Sequence, residues 1–153
     1  ITIFMILGIF TNGFSQDKSD EIKGLWIIKK FRSVGEFGMT YQLAKGYVGA
    51  TITIDNSIKQ SLEENKFTKA AGLTEKQCDY NPLKIFKIEE VEKYFADELD
   101  INPAILDIDN SKDIFMIETD CKNNMYKKFI YNKTDDKLMT IKNGMLFISS
   151  RLK

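Results

Sequence analysis

Between Ala104 and Leu152 the sequence divides into five short runs rich in Ile, Phe, Tyr and Met: Ala104–Asp109, Ile114–Asp120, Met125–Tyr131, Lys137–Lys142 and Met145–Leu152. The residues between them, Asn110–Asp113, Cys121–Asn124, Asn132–Asp136 and Asn143-Gly144, have the composition of turns. Five strands joined this way form an antiparallel meander. Asn143-Gly144 is the strongest turn signal, because a type I′ hairpin needs positive φ at both central residues and Asn-Gly tolerates that best. The register it sets pairs Ile141 with Leu146 and Met139 with Ile148, so all four share one core-facing side.

The first half adds strands. Gly24–Arg32 reads as one. Gly46–Asp55 alternates, with Val48, Ala50, Ile52 and Ile54 on one face and Tyr47, Gly49, Thr51 and Thr53 on the other. Ser57–Leu62 continues it as a hairpin across Asp55-Asn56. Ser33–Thr40 is a glycine-bearing loop, and Asn65–Leu83 is irregular. Ile88, Val91, Phe95 and Leu99 then form a helical stripe over Ile88–Leu99. Glu89, Glu90 and Glu92 fall in its first turn, where the helix dipole favours them. The predicted fold is mainly β: an antiparallel meander closing into a small barrel, with one helix inserted mid-chain.

The residues ahead of this domain differ in kind. Ile1–Phe10 is uncharged and apolar, and the first charged residue is Asp17. The run is shorter than the roughly 20 residues needed to cross a bilayer. It reads as the apolar core of a signal peptide whose start lies upstream, with cleavage after Ser15 and before Gln16; an N-terminal strand or buried helix is the alternative. Residues 1–15 are thus the expected signal and 16–153 a single domain, periplasmic or secreted, with no stable membrane anchor. Its 22 basic and 22 acidic residues balance. That argues against nucleic-acid binding, which leaves a basic footprint.

Cys78 and Cys121 are the only cysteines. Behind an export signal an even pair reads first as a disulfide, with two free buried thiols as the alternative. With no histidine in the chain, Ser-His and Cys-His catalysis are excluded and a transition-metal site is disfavoured. The spacing Asp107, Asp109, Ser111, Asp113 and Glu118 is that of a calcium loop. Lys112, however, stands where such a loop needs Gly, and an Asx-rich β-turn accounts for the same residues. Glu89-Glu90 and Asp97-Glu98-Asp100 read as the wet face and end of the helix. No catalytic residues, metal ligands or cofactors are expected, and no enzymatic activity; an enzyme using paired carboxylates as acid and base is the third reading.

Gly24-Leu25-Trp26 at the start of the first strand resembles the Gly-x-Trp signature that opens the lipocalin barrel. Thr119-Asp120, at a strand end, is similar to the lipocalin Thr-Asp motif, with Cys121 in place of the usual Tyr. Arg151 falls where lipocalins place an Arg that packs across the Trp. Two features depart from the pattern: the sequence runs only two residues past Arg151, where lipocalins carry a helix, and Asn65–Pro103 holds a helix where they run hairpins. The resemblance implies a small exported bacterial barrel, with Gly24, Trp26 and Arg151 structural and Trp26–Arg151 a cation–π lid. In this reading the interior, lined among Trp26, Phe31, Phe115, Phe129, Tyr131 and Phe147, takes a small apolar ligand. The other reading is a periplasmic interaction protein, of inhibitor or immunity type. It would meet an envelope enzyme through the loop Ser33–Thr40 and the mid-chain insert.

Overall fold

The fold was obtained as a computed structural model, which describes residues 19–35, 38–61, 76–122 and 124–153. The expected signal segment, part of the Ser33–Thr40 loop and much of the mid-chain insert lie outside these residues.

The elements are β1 (Gly24–Ser33), α1 (Tyr41–Lys45), β2 (Thr51–Ile54), β3 (Ser57–Ser61), β4 (Lys76–Asp79), β5 (Pro82–Lys87), α2 (Val91–Asp97), a 3-10 turn (Pro103–Leu106), β6 (Ile114–Thr119), a second 3-10 turn (Asn124–Tyr126), β7 (Lys128–Asn132), β8 (Lys137–Lys142) and β9 (Met145–Arg151). All the strands belong to one antiparallel sheet, in the order β4-β3-β2-β1-β9-β8-β7-β6-β5, which curls into a half-barrel. Every pair of consecutive strands is hydrogen-bonded except β4 and β5, and β1 pairs with β9. The ring of strands is therefore interrupted at one place.

A disulfide lies at that interruption. Cys78, in β4, is bonded to Cys121, just past β6, with 5.8 Å between their Cα atoms, inside the ordinary range. The Asn81 side-chain amide donates to the Asp120 carboxylate at 2.9 Å beside it.

The sheet has two kinds of strand. In β2 and β3 one face is buried, so Thr51–Ile54 alternates between half-buried and buried. In β6, β7 and β9 both faces are covered, and their apolar runs are nearly continuous, the pattern of a sheet packed on both sides. The interior core holds Trp26, Ile28, Ile52, Ile54, Phe115, Phe129 and Phe147 among others. A second core lies on the outer face, where Ile88, Val91, Phe95, Ile101 and Ile108 cover Ile114, Met116, Ile130, Met139, Leu146 and Ile148.

The helical stripe is present: Ile88, Val91 and Phe95 are buried and Leu99 partly so, although the helix itself spans only Val91–Asp97. The Asn143-Gly144 turn has φ of 46° and 70° at its two residues. It pairs Ile141 with Leu146 and Met139 with Ile148 as expected, but this shared face packs under α2 on the outside of the sheet.

Four local expectations need correction. Met125–Tyr131 is not strand throughout: Asn124–Tyr126 forms a 3-10 turn and the strand starts at Lys128. Ala104–Asp109 is not a strand: Pro103 starts a 3-10 turn capped by the Asn102 side chain, and Asp107 ends it at φ 56°. Residues 46–50 are not strand either. Thr40 caps α1 by accepting from the Leu43 N–H, and the turn that follows buries Tyr47 and leaves Val48 exposed, the reverse of the predicted faces. Finally, the region read as irregular contains β4 and the start of β5.

Candidate functional site

The six aromatic residues expected to line the interior do come together. Register places Phe115 opposite Tyr131 and Ile117 opposite Phe129. β1 reaches Phe31 through an irregularity: Ile28 pairs with Ser149 but Lys30 with Ile148. The extra residue, Lys29, reverses the alternation, so Trp26 and Ile28 face inward before it and Phe31 after it. Phe31 lies opposite Phe147 with ring centroids 6.2 Å apart. Trp26 and Tyr131 meet edge to face at 6.1 Å. All six belong to the interior core, Phe31 at its partly buried margin.

Further interior residues escaped the sequence reading. Tyr47 packs on Phe147 at 5.0 Å and accepts a hydrogen bond from the Lys142 ammonium at 3.0 Å. Tyr126 stacks on Phe129 at 6.0 Å, and its hydroxyl donates to Gln60 Oε1. Burial pushes the Tyr126 phenol far above its usual range. Gln60 Nε2 and Thr140 Oγ1 are buried without a hydrogen-bond partner among the described residues. The Thr40 cap was the available signal for Tyr47; nothing in the spacing marked Tyr126, which was read as strand.

One end of the half-barrel is closed by Arg151. Its guanidinium lies over the Trp26 ring, 4.2 Å from the centroid. Nε donates to the Asp136 carboxylate at 3.1 Å, Nη1 to the Lys23 carbonyl at 2.6 Å and Nη2 to the Glu21 carbonyl at 2.7 Å. The Trp26 indole N–H donates to the Ile22 carbonyl at 2.8 Å. Burial, with the Asp136 carboxylate next, raises the Tyr131 phenol. Gly24 completes the arrangement: its φ is +142°, and a Cβ there would stand 2.8 Å from Arg151 Nη1. Gly24→Ala should therefore destabilise the protein by about 1–3 kcal/mol, through backbone strain and displacement of the guanidinium. Urea unfolding followed by Trp26 emission measures it; an unchanged midpoint would mean that the arginine head shifts freely.

Among the described residues, cavities also lie on the outer side, and none of the six aromatics lines the following three. One of about 260 Å³ runs between Phe86, Ile88 and α2. Another, of about 330 Å³, is formed by Leu99, Met116, Ile130 and Ile141 with Lys127 and Lys128 at its rim. The third, of about 390 Å³, includes Asp107, Asn132, Asp135 and Met139.

The acidic spacing at Asp107–Glu118 resolves into turn chemistry. Asp109 Oδ1 accepts from the Ser111 N–H at 2.8 Å and from the Ser111 hydroxyl, which holds the Asp109 carboxyl below its ordinary range. Among the described residues no three His, Cys, Asp or Glu side chains gather as metal ligands would. Thr119 ends β6 by donating to the Tyr126 carbonyl at 2.6 Å and accepting from the Cys121 N–H at 3.2 Å.

Fold and site together define a curled antiparallel half-barrel whose first and last described strands are locked by a buried Trp26 and a half-buried Arg151. No protein-family model, curated protein or solved structure matches this chain.

Proposed function

We propose that this is an exported, non-enzymatic binding protein of lipocalin-like build that recognises a protein partner through its outer surface, in the manner of an inhibitor or immunity protein. The observation that carries this reading is the packing of the interior. Trp26, Phe115, Phe129, Tyr131 and Phe147 are buried in one interior cluster, and a small barrel that fills its interior with its own side chains leaves recognition to its outside. The Cys78–Cys121 bond supports an oxidising compartment. Among the described residues no helix is long and apolar enough to cross a membrane.

The reading of a small apolar ligand draws support from the cavity of about 330 Å³ floored by Met116, Ile130 and Ile141, at the lower end of the range for ligand pockets. Native mass spectrometry of the protein purified from its own host separates the two. A complex heavier by the mass of a polypeptide is expected. A lipid-sized adduct in its place would move the function to the apolar ligand.

A further inference from the structure

Among the described strands, the interruption of the ring leaves one edge of β5 unpaired. Among the described residues it is hydrogen-bonded to β6 alone. The Ile88 N–H donates to the Ile114 carbonyl at 2.9 Å, so antiparallel alternation turns the main-chain groups of Ile85 and Lys87 the other way, off the sheet. Proteins commonly blunt such edges with proline, lysine or a bulge. Here Pro82, Lys84 and the register shift between them blunt only the first half, and Leu83 stands 66% exposed there. From Ile85 to Lys87 the strand is regular.

A groove of about 260 Å³ flanks that regular half, with Phe86, Ile88 and Tyr94 in it and Glu89, Asp97 and Glu98 around it. Phe86 and Tyr94 meet edge to face at 6.2 Å. The two lysines of the groove are already engaged: Lys87 with Asp113 at 2.7 Å and Lys93 with Glu90 at 3.6 Å. Glu89, Asp97 and Glu98 have no ion-pair partner among the described residues. Asp97 and Glu98 sit at the C-terminal end of α2, where the helix dipole disfavours negative charge. Helix stability therefore does not account for them.

We infer that β5 is a docking edge for an extended, basic segment of the protein partner, which adds a strand to the sheet. Main-chain hydrogen bonds to Ile85 and Lys87 supply pairing. An apolar side chain of the segment covers Leu83, and a Lys or Arg side chain lies over Tyr94 toward Glu89, Asp97 and Glu98, beside Lys84, whose ammonium stands 4.7 Å over the Phe86 ring. This rests on the partner-binding reading given above.

The test titrates the full chain, disulfide intact, with three synthetic hexapeptides: alternating Lys and Val, alternating Glu and Val, and an N-methylated Lys/Val form that cannot pair. Amide exchange of the protein is followed by NMR. The Lys/Val peptide should bind and slow exchange at Ile85 and Lys87. Binding should weaken about tenfold in E89K/D97K/E98K and at least as much on N-methylation. Equal binding of the Glu/Val peptide, or indifference to N-methylation, would overturn the inference. Protection on another strand removes the β5 edge but leaves partner binding standing. Absence of binding by every peptide, together with host-purified protein that carries no polypeptide, removes both.

Discussion

Replacing Cys78 and Cys121 together by alanine should lower stability by about 4 kcal/mol, the loop-closure entropy of a cross-link spanning roughly 44 residues. For a domain of this size that is on the order of 10 °C in Tm. The structural reason for expecting nearly the full amount is the position of the bond. β4 and β5 share no ladder, so the covalent link does at this seam what main-chain hydrogen bonds do between all the other consecutive strands. Cys121 is buried in the interior core and Cys78 packs against it, so the double alanine variant also loses two small apolar contacts. Urea unfolding of oxidised wild type, reduced wild type and the double variant measures the effect, and the double variant should fall slightly below reduced wild type by the two lost apolar contacts. A loss below about 1 kcal/mol would show that the clamp between Asn81 and Asp120 already holds the seam.

Arg151→Met should cost about 2–4 kcal/mol, and Trp26 should report it. Methionine keeps much of the apolar stem but removes the charge over the indole and every donor. The carbonyls of Glu21 and Lys23 then lose their partners at 2.7 and 2.6 Å, and Asp136 loses its ion pair at 3.1 Å. Breaking a partly buried pair by removing one member leaves the other group desolvated and uncompensated, which is the costly direction. Trp26 is the only tryptophan, so its emission should shift as the guanidinium leaves its face. Lysine at 151 restores charge without the planar fork and should recover only part of the loss. If both stability and emission of Arg151→Met matched wild type, the closed end would be held by apolar packing alone.

The features legible in the sequence are those set within a few residues. Asn143-Gly144 fixes its hairpin because both residues tolerate positive φ. The alternation Thr51–Ile54 shows one buried face, and Val91 and Phe95 mark the buried face of a helix, since side-chain period follows directly from backbone geometry. The Cys pair followed from parity and compartment, and the Trp26–Arg151 contact from three motif residues whose positions matched a known pattern.

What tertiary structure alone decided concerns which surface covers which. Ala104–Asp109 carries the apolar composition of a strand, yet it lies as a 3-10 turn because Pro103 and the Asn102 cap begin one. Tyr47 and Val48 exchange their predicted faces because α1 rotates the chain before β2 begins. The row Met139, Ile141, Leu146 and Ile148 was correctly placed on one side of its hairpin, but a period of two cannot tell the inside of a curl from the outside. That choice was made by α2 packing on one face and Phe147 and Leu138 on the other. The missing ladder between β4 and β5, on which the proposed docking edge depends, is likewise invisible locally. The residues of β4 and β5 carry no sign of whether the two strands pair, and only the curvature of the whole sheet determines whether its two ends meet.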